Sequence, residues 1–346
     1  MRGVAEKVGV STTTVSRVLN GKAEKYRISK QTKEDVLRIA SELGYVPDQV
    51  ARGLRIRRTN TVGLIIPDIS NPFFSTIARN IEINARKVGY SIILSDCQEE
   101  TQLEIESIRL LQSRKVDGLI ICPVGEDGEH LKSLTNSGLP IVIIDRYFPD
   151  VKCSYVISDN YNGALEAVTY LIKNNHRSIA CLQGRLNTSV NENRVRGYRD
   201  ALHKFNIPLD ESLIVGENFG EKNGYIGAKI IISRKLRPTA IFSTSNLISL
   251  GAMKAILEEG LRIPEDISMI SFDDQPYSDY LVAPMSTVAQ RTSEIGQIAF
   301  SLLHSQIEHE GNQRVEGIVL PTKLMIRKSV KKLHESGYAL HVNIMK

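Results

Sequence analysis

No Cys-x-x-Cys pair occurs in the chain, and its four cysteines (Cys97, Cys122, Cys153 and Cys181) are widely separated. That spacing suits neither a zinc cluster nor a small disulfide scaffold. Three of them sit inside apolar runs, so buried free thiols in a reducing compartment are expected. No apolar stretch approaches the roughly 20 residues needed to cross a bilayer, and no charged-then-apolar leader opens the sequence. Membrane and secreted readings are disfavoured accordingly. Catalytic signatures are missing as well: no G-x-G-x-x-G follows a first strand, and no G-x-x-x-x-G-K-[ST], G-x-S-x-G or H-E-x-x-H occurs. The seven histidines are scattered. Neither an enzyme nor a metal or cofactor is expected.

What is present is a chain of 346 residues, 42% hydrophobic and 24% charged, with a mean hydropathy of −0.15. This is the profile of a soluble globular protein of two or three domains. Its formal net charge of +5 is unevenly spread. Residues 1–58 hold 13 Lys/Arg against 6 Asp/Glu, whereas the remainder is nearly balanced. A small basic head on a near-neutral body points to a polyanion partner at one end; a solvated basic face is the plainer alternative.

The head reads as short helices. Val4, Ala5, Val8 and Val10 form an apolar face, Gly9-Val10-Ser11 makes a turn, and Ser11 can cap a helix over Thr12–Leu19. Asn20-Gly21 ends that helix. A third helix is predicted over Lys30–Leu43, capped by Ser29 and closed by Gly44, with Val36, Leu37, Ile39, Ala40 and Leu43 inside. Three short helices with a tight turn before the second form the helix-turn-helix layout. Pro47 breaks the chain; 48–55 could form a short helix, marginal alone because it is brief and contains Gly53. From Thr61 onward, runs such as VGLIIP (62–67), DGLIICP (117–123), PIVIID (140–145) and ISMISF (267–272) alternate with helical stretches. Near-continuous Val/Ile/Leu strands between helices imply parallel sheets covered on both faces. Two doubly wound α/β subdomains are expected, with a cleft at the strand C-terminal ends. Polar pairs cluster at those ends: Pro67-Asp68, Ser95-Asp96, Asp145-Arg146, Ser158-Asp159 and Asp273-Asp274. The stretch 317–327 is expected to add an edge strand.

The head sequence VAEKVGVSTTTVSRVLNG, followed by ISKQTKEDVLRIASELGYVPDQVARGLR, resembles the DNA-binding domain of the lactose-repressor/galactose-repressor (LacI/GalR) family. The body resembles that family's periplasmic-binding-protein-like effector domain through VGLIIPDISNPFF, DGLII, IDR, RVRGYRDAL, LGAMKAI and ISFDD. The resemblance implies an all-α DNA-binding domain (1–46), a hinge helix and linker (47–60), a two-lobed effector and dimerisation domain (61–329) and a C-terminal tail (330–346). It assigns base reading to Thr12, Thr13 and Arg17, the arginine having the reach for a guanine. Ser11, Thr14, Ser16 and Asn20 suit phosphate contacts, which fix register without reading sequence. Ala51 and Leu54 match the hinge positions at the minor groove, Leu54 as a wedge between base steps; packing of Leu54 on the effector domain is the alternative. One departure is Gly3, where the family usually has a polar helix cap.

For the effector, the resemblance singles out Arg194 and Asp273, a guanidinium fork and a carboxylate suited to vicinal hydroxyls or a ring amide. Phe73, Phe74, Asp145 and Arg146 are the first lobe's candidates, and Phe219, Ser245 and Asn246 join the second lobe's. Phe73 and Phe74 could equally be core, and Arg146 could form an interlobe ion pair without touching ligand. Many relatives carry Asn-Asp where this chain has Ser245-Asn246, so a relative's ligand cannot simply be transferred. A sugar or sugar derivative is the first expectation and a nucleobase or nucleoside the second. The expected partners are double-stranded operator DNA, the small effector and a second copy in a homodimer on a pseudo-palindrome, with no membrane and a cytoplasmic, nucleoid-associated location. A solute-binding protein without DNA function is the competing class, and the basic head argues against it.

Overall fold

The computed structural model describes residues 1–45, 58–309 and 315–334. The expected hinge helix with Ala51 and Leu54, and the tail beyond 334, lie outside the described residues. Contacts divide the chain into two units, Met1–Asn60 and Thr61–Lys346.

In the first unit, α1 (Arg2–Val8), α2 (Thr12–Leu19) and α3 (Lys30–Glu42) enclose a small core of Val4, Ala5, Val15, Val18, Ala23, Val36, Ile39 and Ala40. Ser11 caps α2 by accepting from the Thr14 amide, and Ser29 caps α3 by accepting from Thr32. α1 begins without a side-chain cap. Two expected core residues turn outward: Leu37 and Leu43 are more than two-fifths exposed. Three helices this short have room to bury only the narrow stripe of Val36, Ile39 and Ala40.

The second unit starts with β1 (Thr61–Ile66), α4 (Pro72–Lys87), β2 (Ser91–Asp96), α5 (Thr101–Ser113), β3 (Gly118–Ile121), α6 (Glu129–Thr135), β4 (Ile141–Ile144) and β5 (Ser154–Ser158). It continues through α7 (Asn160–Lys173), β6 (Ile179–Leu182), α8 (Ser189–Lys204), β7 (Ile214–Val215), α9 (Glu221–Ile232), β8 (Ala240–Ser243), α10 (Asn246–Glu258), β9 (Ser268–Phe272) and β10 (Ser286–Ala289). The last described elements are α11 (Thr292–Glu308), β11 (Gly317–Leu320) and β12 (Lys323–Met325). Two six-stranded sheets result, ordered β11-β5-β4-β3-β1-β2 and β12-β10-β9-β8-β6-β7. All pairs are parallel except β10 with β12. Both orders place corresponding strands at corresponding positions, so the lobes share one winding.

Apolar clusters cover both faces of each sheet, which is why β1, β3, β4, β8 and β9 are almost wholly buried. The lobes are not consecutive in sequence. The chain leaves the first lobe after β5, returns after β10 so that α11 packs on the first core through Ile295, Ala299, Phe300 and Leu303, and crosses again between β11 and β12. The stretch 317–327 thus supplies an edge strand to each lobe rather than one edge.

Two helices are drawn together by glycine. A Cβ on Gly224 would lie 1.9 Å from the Ile248 carbonyl oxygen, and one on Gly251 would lie 1.9 Å from that of Glu221. Only hydrogen fits at both positions, so α9 and α10 run backbone to backbone. Their N-termini, next to Phe219 and Ser245, arrive side by side at the cleft. Gly251→Ala should therefore destabilise the protein by about 1–3 kcal/mol, read as a lower urea midpoint; a midpoint matching the wild type would contradict this packing.

The last described residues are strapped to the second lobe by His176, which is fully buried. Its Nδ1 lies 2.9 Å from Thr239 Oγ1 and its Nε2 lies 3.0 Å from the Lys331 carbonyl. Burial lowers its pKa from 6.5 to about 4, helped by the charges of Lys331 and Arg177. Between those two values the unfolded chain binds a proton that the folded chain refuses. Stability is therefore complete above pH 6.5 and falls as the pH drops towards 4, by about 3 kcal/mol. In His176→Gln that part of the pH dependence should vanish from denaturation curves; an unchanged slope between pH 6.5 and 4 would disprove the assignment.

Candidate functional site

The cleft between the lobes encloses about 300 Å³ and is lined by Pro67, Asp68, Asn71, Phe73, Phe74, Asp96, Gln98, Glu99, Asp145, Arg146, Val190, Arg194, Asn218, Phe219, Gly220, Ser245, Leu247, Asp273 and Gln290. Every effector candidate named from the sequence is on this lining except Asn246. Phe73 and Phe74 meet edge to face at 5.0 Å; they serve both cleft wall and first-lobe core, so the two expectations for them coincide.

Two carboxylates occupy equivalent positions in the two lobes. Asp145 follows β4 and Asp273 follows β9, both in the left-handed backbone region, with φ of 63° and 70°. Aspartate tolerates that region better than most side chains. Each amide donates at 3.0 Å to the next strand, to Val156 and to Val288, which turns the chain at the strand end and presents the carboxylate to the cleft. Burial raises the pKa of Asp145, while the Arg146 and Arg194 guanidiniums oppose that shift.

The two arginines are held differently. Arg146 donates through both terminal nitrogens to Glu99, at 2.7 and 2.5 Å. Burial disfavours its charge, but Glu99 outweighs burial and holds its pKa above the usual arginine value. The expected interlobe ion pair of Arg146 is thus an intralobe one, since Glu99 follows β2 of the same sheet. Across the cleft the Arg146 guanidinium lies 5.1 Å from the Phe219 ring centroid. Arg194, 2% exposed, donates through Nε to Asn160 Oδ1 at 2.8 Å and through Nη1 to the Thr244 carbonyl at 2.6 Å. Its Nη2 is 3.9 Å from Asp273 Oδ1, and its guanidinium stacks on Phe272 at 3.7 Å. Burial lowers its pKa against the pull of Asp273 and Asp145.

Asn246 joins the lobes instead of lining the wall. Its Nδ2 donates to Asn71 Oδ1 at 3.0 Å, and that same oxygen accepts from the Phe73 amide at the start of α4. An acidic residue at 246 has no proton to donate here, which gives the departure from the common Asn-Asp pair a physical reason. Further interlobe bonds run from Arg185 Nη1 to the Glu99 carbonyl at 2.7 Å, from Asn187 Nδ2 to Glu126 at 3.1 Å, and from the Tyr147 amide to Ser189 Oγ at 3.3 Å. Gln290, in the second crossover, donates to Asp273 Oδ1 at 2.6 Å. Sequence reasoning missed Asn71, Glu99 and Gln290. Asn71 had a signal in its position before Pro72, a helix N-cap; the other two are lone polar residues in connections.

In the head, Thr12, Thr13, Ser16, Arg17 and Asn20 share one concavity with Met1, Lys22 and Tyr26. Ser11 and Thr14 are turned to capping: the hydroxyls lie 2.9 Å apart, and Ser11 Oγ accepts from the Thr14 amide. Asn20 folds back onto the Ser16 carbonyl at 2.6 Å and closes the helix end. Lys22 and Tyr26 were not singled out from the sequence.

Residues 1–48 match the model of "Bacterial regulatory proteins, lacI family", and residues 59–328 match that of "Periplasmic binding proteins and sugar binding domain of LacI family". The chain belongs to the LacI family. It is a DNA-binding transcriptional regulator with an effector-binding unit, not an enzyme. Among similar proteins, the ribose operon repressor of Haemophilus influenzae is 33% identical over 96% of this chain and 99% of its own length. The HTH-type transcriptional repressor PurR of Vibrio campbellii is 31% identical over 96% of this chain and 99% of its own length. The lac repressor dimer bound to operator and the anti-inducer ONPF superimposes with a TM-score of 0.83 at 26% identity, covering 95% of this chain and 98% of that one. Among the described residues, no helix is long and apolar enough to cross a membrane.

Removing Glu99 would strand the Arg146 charge in the interior. Glu99→Ala should lower stability by roughly 2–3 kcal/mol, less than for a fully enclosed pair because Glu99 keeps some solvent contact. Chemical denaturation reads this directly, and an unchanged midpoint would show that Arg146 has other support.

Proposed function

We propose that this regulator is a cytoplasmic homodimeric repressor that reads a pseudo-palindromic operator and takes a sugar, of the size of a single pentose or hexose ring, in its cleft. One observation carries the sugar reading. Asp145 Oδ1, Arg146 Nε and Gln290 Oε1 are buried on the cleft lining without a hydrogen-bond partner in the protein. Buried polar atoms of this kind are costly unless a ligand completes them. They include both a donor and acceptors, as hydroxyl groups require, since each hydroxyl gives and receives. The carboxylates of Asp145 and Asp273 can only accept, which favours a ligand rich in O–H donors. A volume of about 300 Å³ suits one ring. The name of the ribose operon repressor among the relatives agrees with this reading.

A nucleobase is the second reading, favoured by the PurR relative and by the aromatic faces of Phe73, Phe74 and Phe219. Ligand-induced thermal stabilisation separates the two. Ribose and related monosaccharides should raise the melting temperature, while hypoxanthine and guanine should not; the reverse result would replace the sugar with a purine. Asp273→Asn should weaken the sugar by at least about tenfold. Wild-type affinity in that variant would remove Asp273 from the contact set. For the DNA function, gel shifts with the region upstream of the protein's own gene should show a discrete complex with a steep salt dependence.

A further inference from the structure

We propose that Tyr26 is a specificity-positioning residue of the DNA-reading head: its ring holds the Arg17 guanidinium in the orientation needed to read a guanine in the major groove. The inference rests on the DNA-reading function of the head and adds to it a residue outside the recognition helix. Arg17 lies in the last turn of α2, and its guanidinium carbon sits 3.9 Å from the centroid of the Tyr26 ring. Both side chains are exposed and face the same concavity as Thr12 and Thr13. Among the described residues no carboxylate forms an ion pair with Arg17. Its fork is therefore steered by an aromatic face and not consumed by an acidic partner.

The geometry suits base reading for a definite reason. A ring stacked on a guanidinium covers one of its faces and leaves the N–H groups in its edge unused. Guanine presents O6 and N7 in one plane at the major-groove edge, and a bidentate arginine must approach in that plane. A long unstacked side chain would have to surrender its rotamer freedom on binding, whereas a stacked one has already done so.

The turn that carries Tyr26 is itself fixed. Gly21 takes a left-handed conformation with φ of 69°, and the Lys22 amide donates to the Arg17 carbonyl at 2.9 Å. Ala23 is buried in the head core, Ile28 packs against the same core, and the Ile28 amide donates to the Ala23 carbonyl at 2.9 Å. Between those anchors the Tyr26 amide donates to Lys22 at 3.2 Å. The ring thus projects from a tied loop, at a fixed station over the recognition helix.

The test is selection of random duplexes by the wild-type full chain, followed by the same selection with Arg17→Ala, Tyr26→Leu and Tyr26→Phe. The wild type should enrich a site with one guanine per half-site whose preference Arg17→Ala abolishes. Tyr26→Leu should weaken the preference at that same base pair by about fivefold, with the salt dependence of binding unchanged because no phosphate contact is lost. Tyr26→Phe, which keeps the ring, should retain the preference and shows that the loop still folds. The role is overturned if Tyr26→Leu keeps the wild-type preference, if it weakens all sequences alike, or if Tyr26→Phe loses as much as Tyr26→Leu. A base other than guanine at the position read by Arg17 overturns it too. A wild-type chain that enriches no sequence overturns the DNA-reading function itself, and with it this role.

Discussion

The cleft is organised around one buried charge. A guanidinium that is 2% exposed cannot remain inside a protein without partners, and those of Arg194 come from separate pieces of the chain. Asn160 stands at the first crossover between the lobes, Thr244 at the end of β8, and Asp273 at the end of β9. Asp273 in turn accepts from Gln290 at the second crossover. Residues on the cleft lining are therefore attached to the segments that link the lobes. On the proposed reading, a ligand that completes Asp273 or the unpartnered oxygen of Gln290 would touch the cleft lining and a crossover segment together, the differential contact that an allosteric change requires.

The same design recurs in each lobe. The identical strand orders place Asp145 and Asp273 at matching strand ends, both in the left-handed conformation. Helix caps cluster there too: Asn71, Asp159, Thr188 and Ser245 accept from the first-turn amides of α4, α7, α8 and α10. Polar side chains at the ends of parallel strands thus have two uses, closing helix N-termini and lining the cleft. That is the general reason such folds bind at this edge.

Much of this was legible in the sequence. Strands such as β1, β3 and β9 announce themselves because both faces are covered, leaving apolar runs with no polar alternation. Helix starts are harder to read than the strands: α4, α7 and α8 begin at Pro72, Asn160 and Ser189. The first turns of α7 and α8 are mostly polar and look like loop until their caps are seen. β10 went unnoticed because Ser286 and Thr287 are buried polar residues in a short strand. Nothing in local pattern reveals that α11 and β11 return to the first lobe, for that depends on contacts far apart in sequence. In the site, Arg194 and Asp273 came from the family resemblance, whereas Glu99 and Gln290 have no motif. Asn246 was placed in the correct region, but no local pattern shows that its amide bridges to Asn71.

The interleaved path of the chain also bears on its synthesis. The edge strand Gly317–Leu320 pairs with Ser154–Ser158, and Thr292–Glu308 covers the core behind it. The amino-terminal lobe consequently lacks a helix and a strand until the ribosome has passed residue 320, by which point all of the second sheet except β12 has been made. Although translation delivers domains in order, these two halves must mature almost simultaneously, and the nascent first half waits with one apolar flank uncovered.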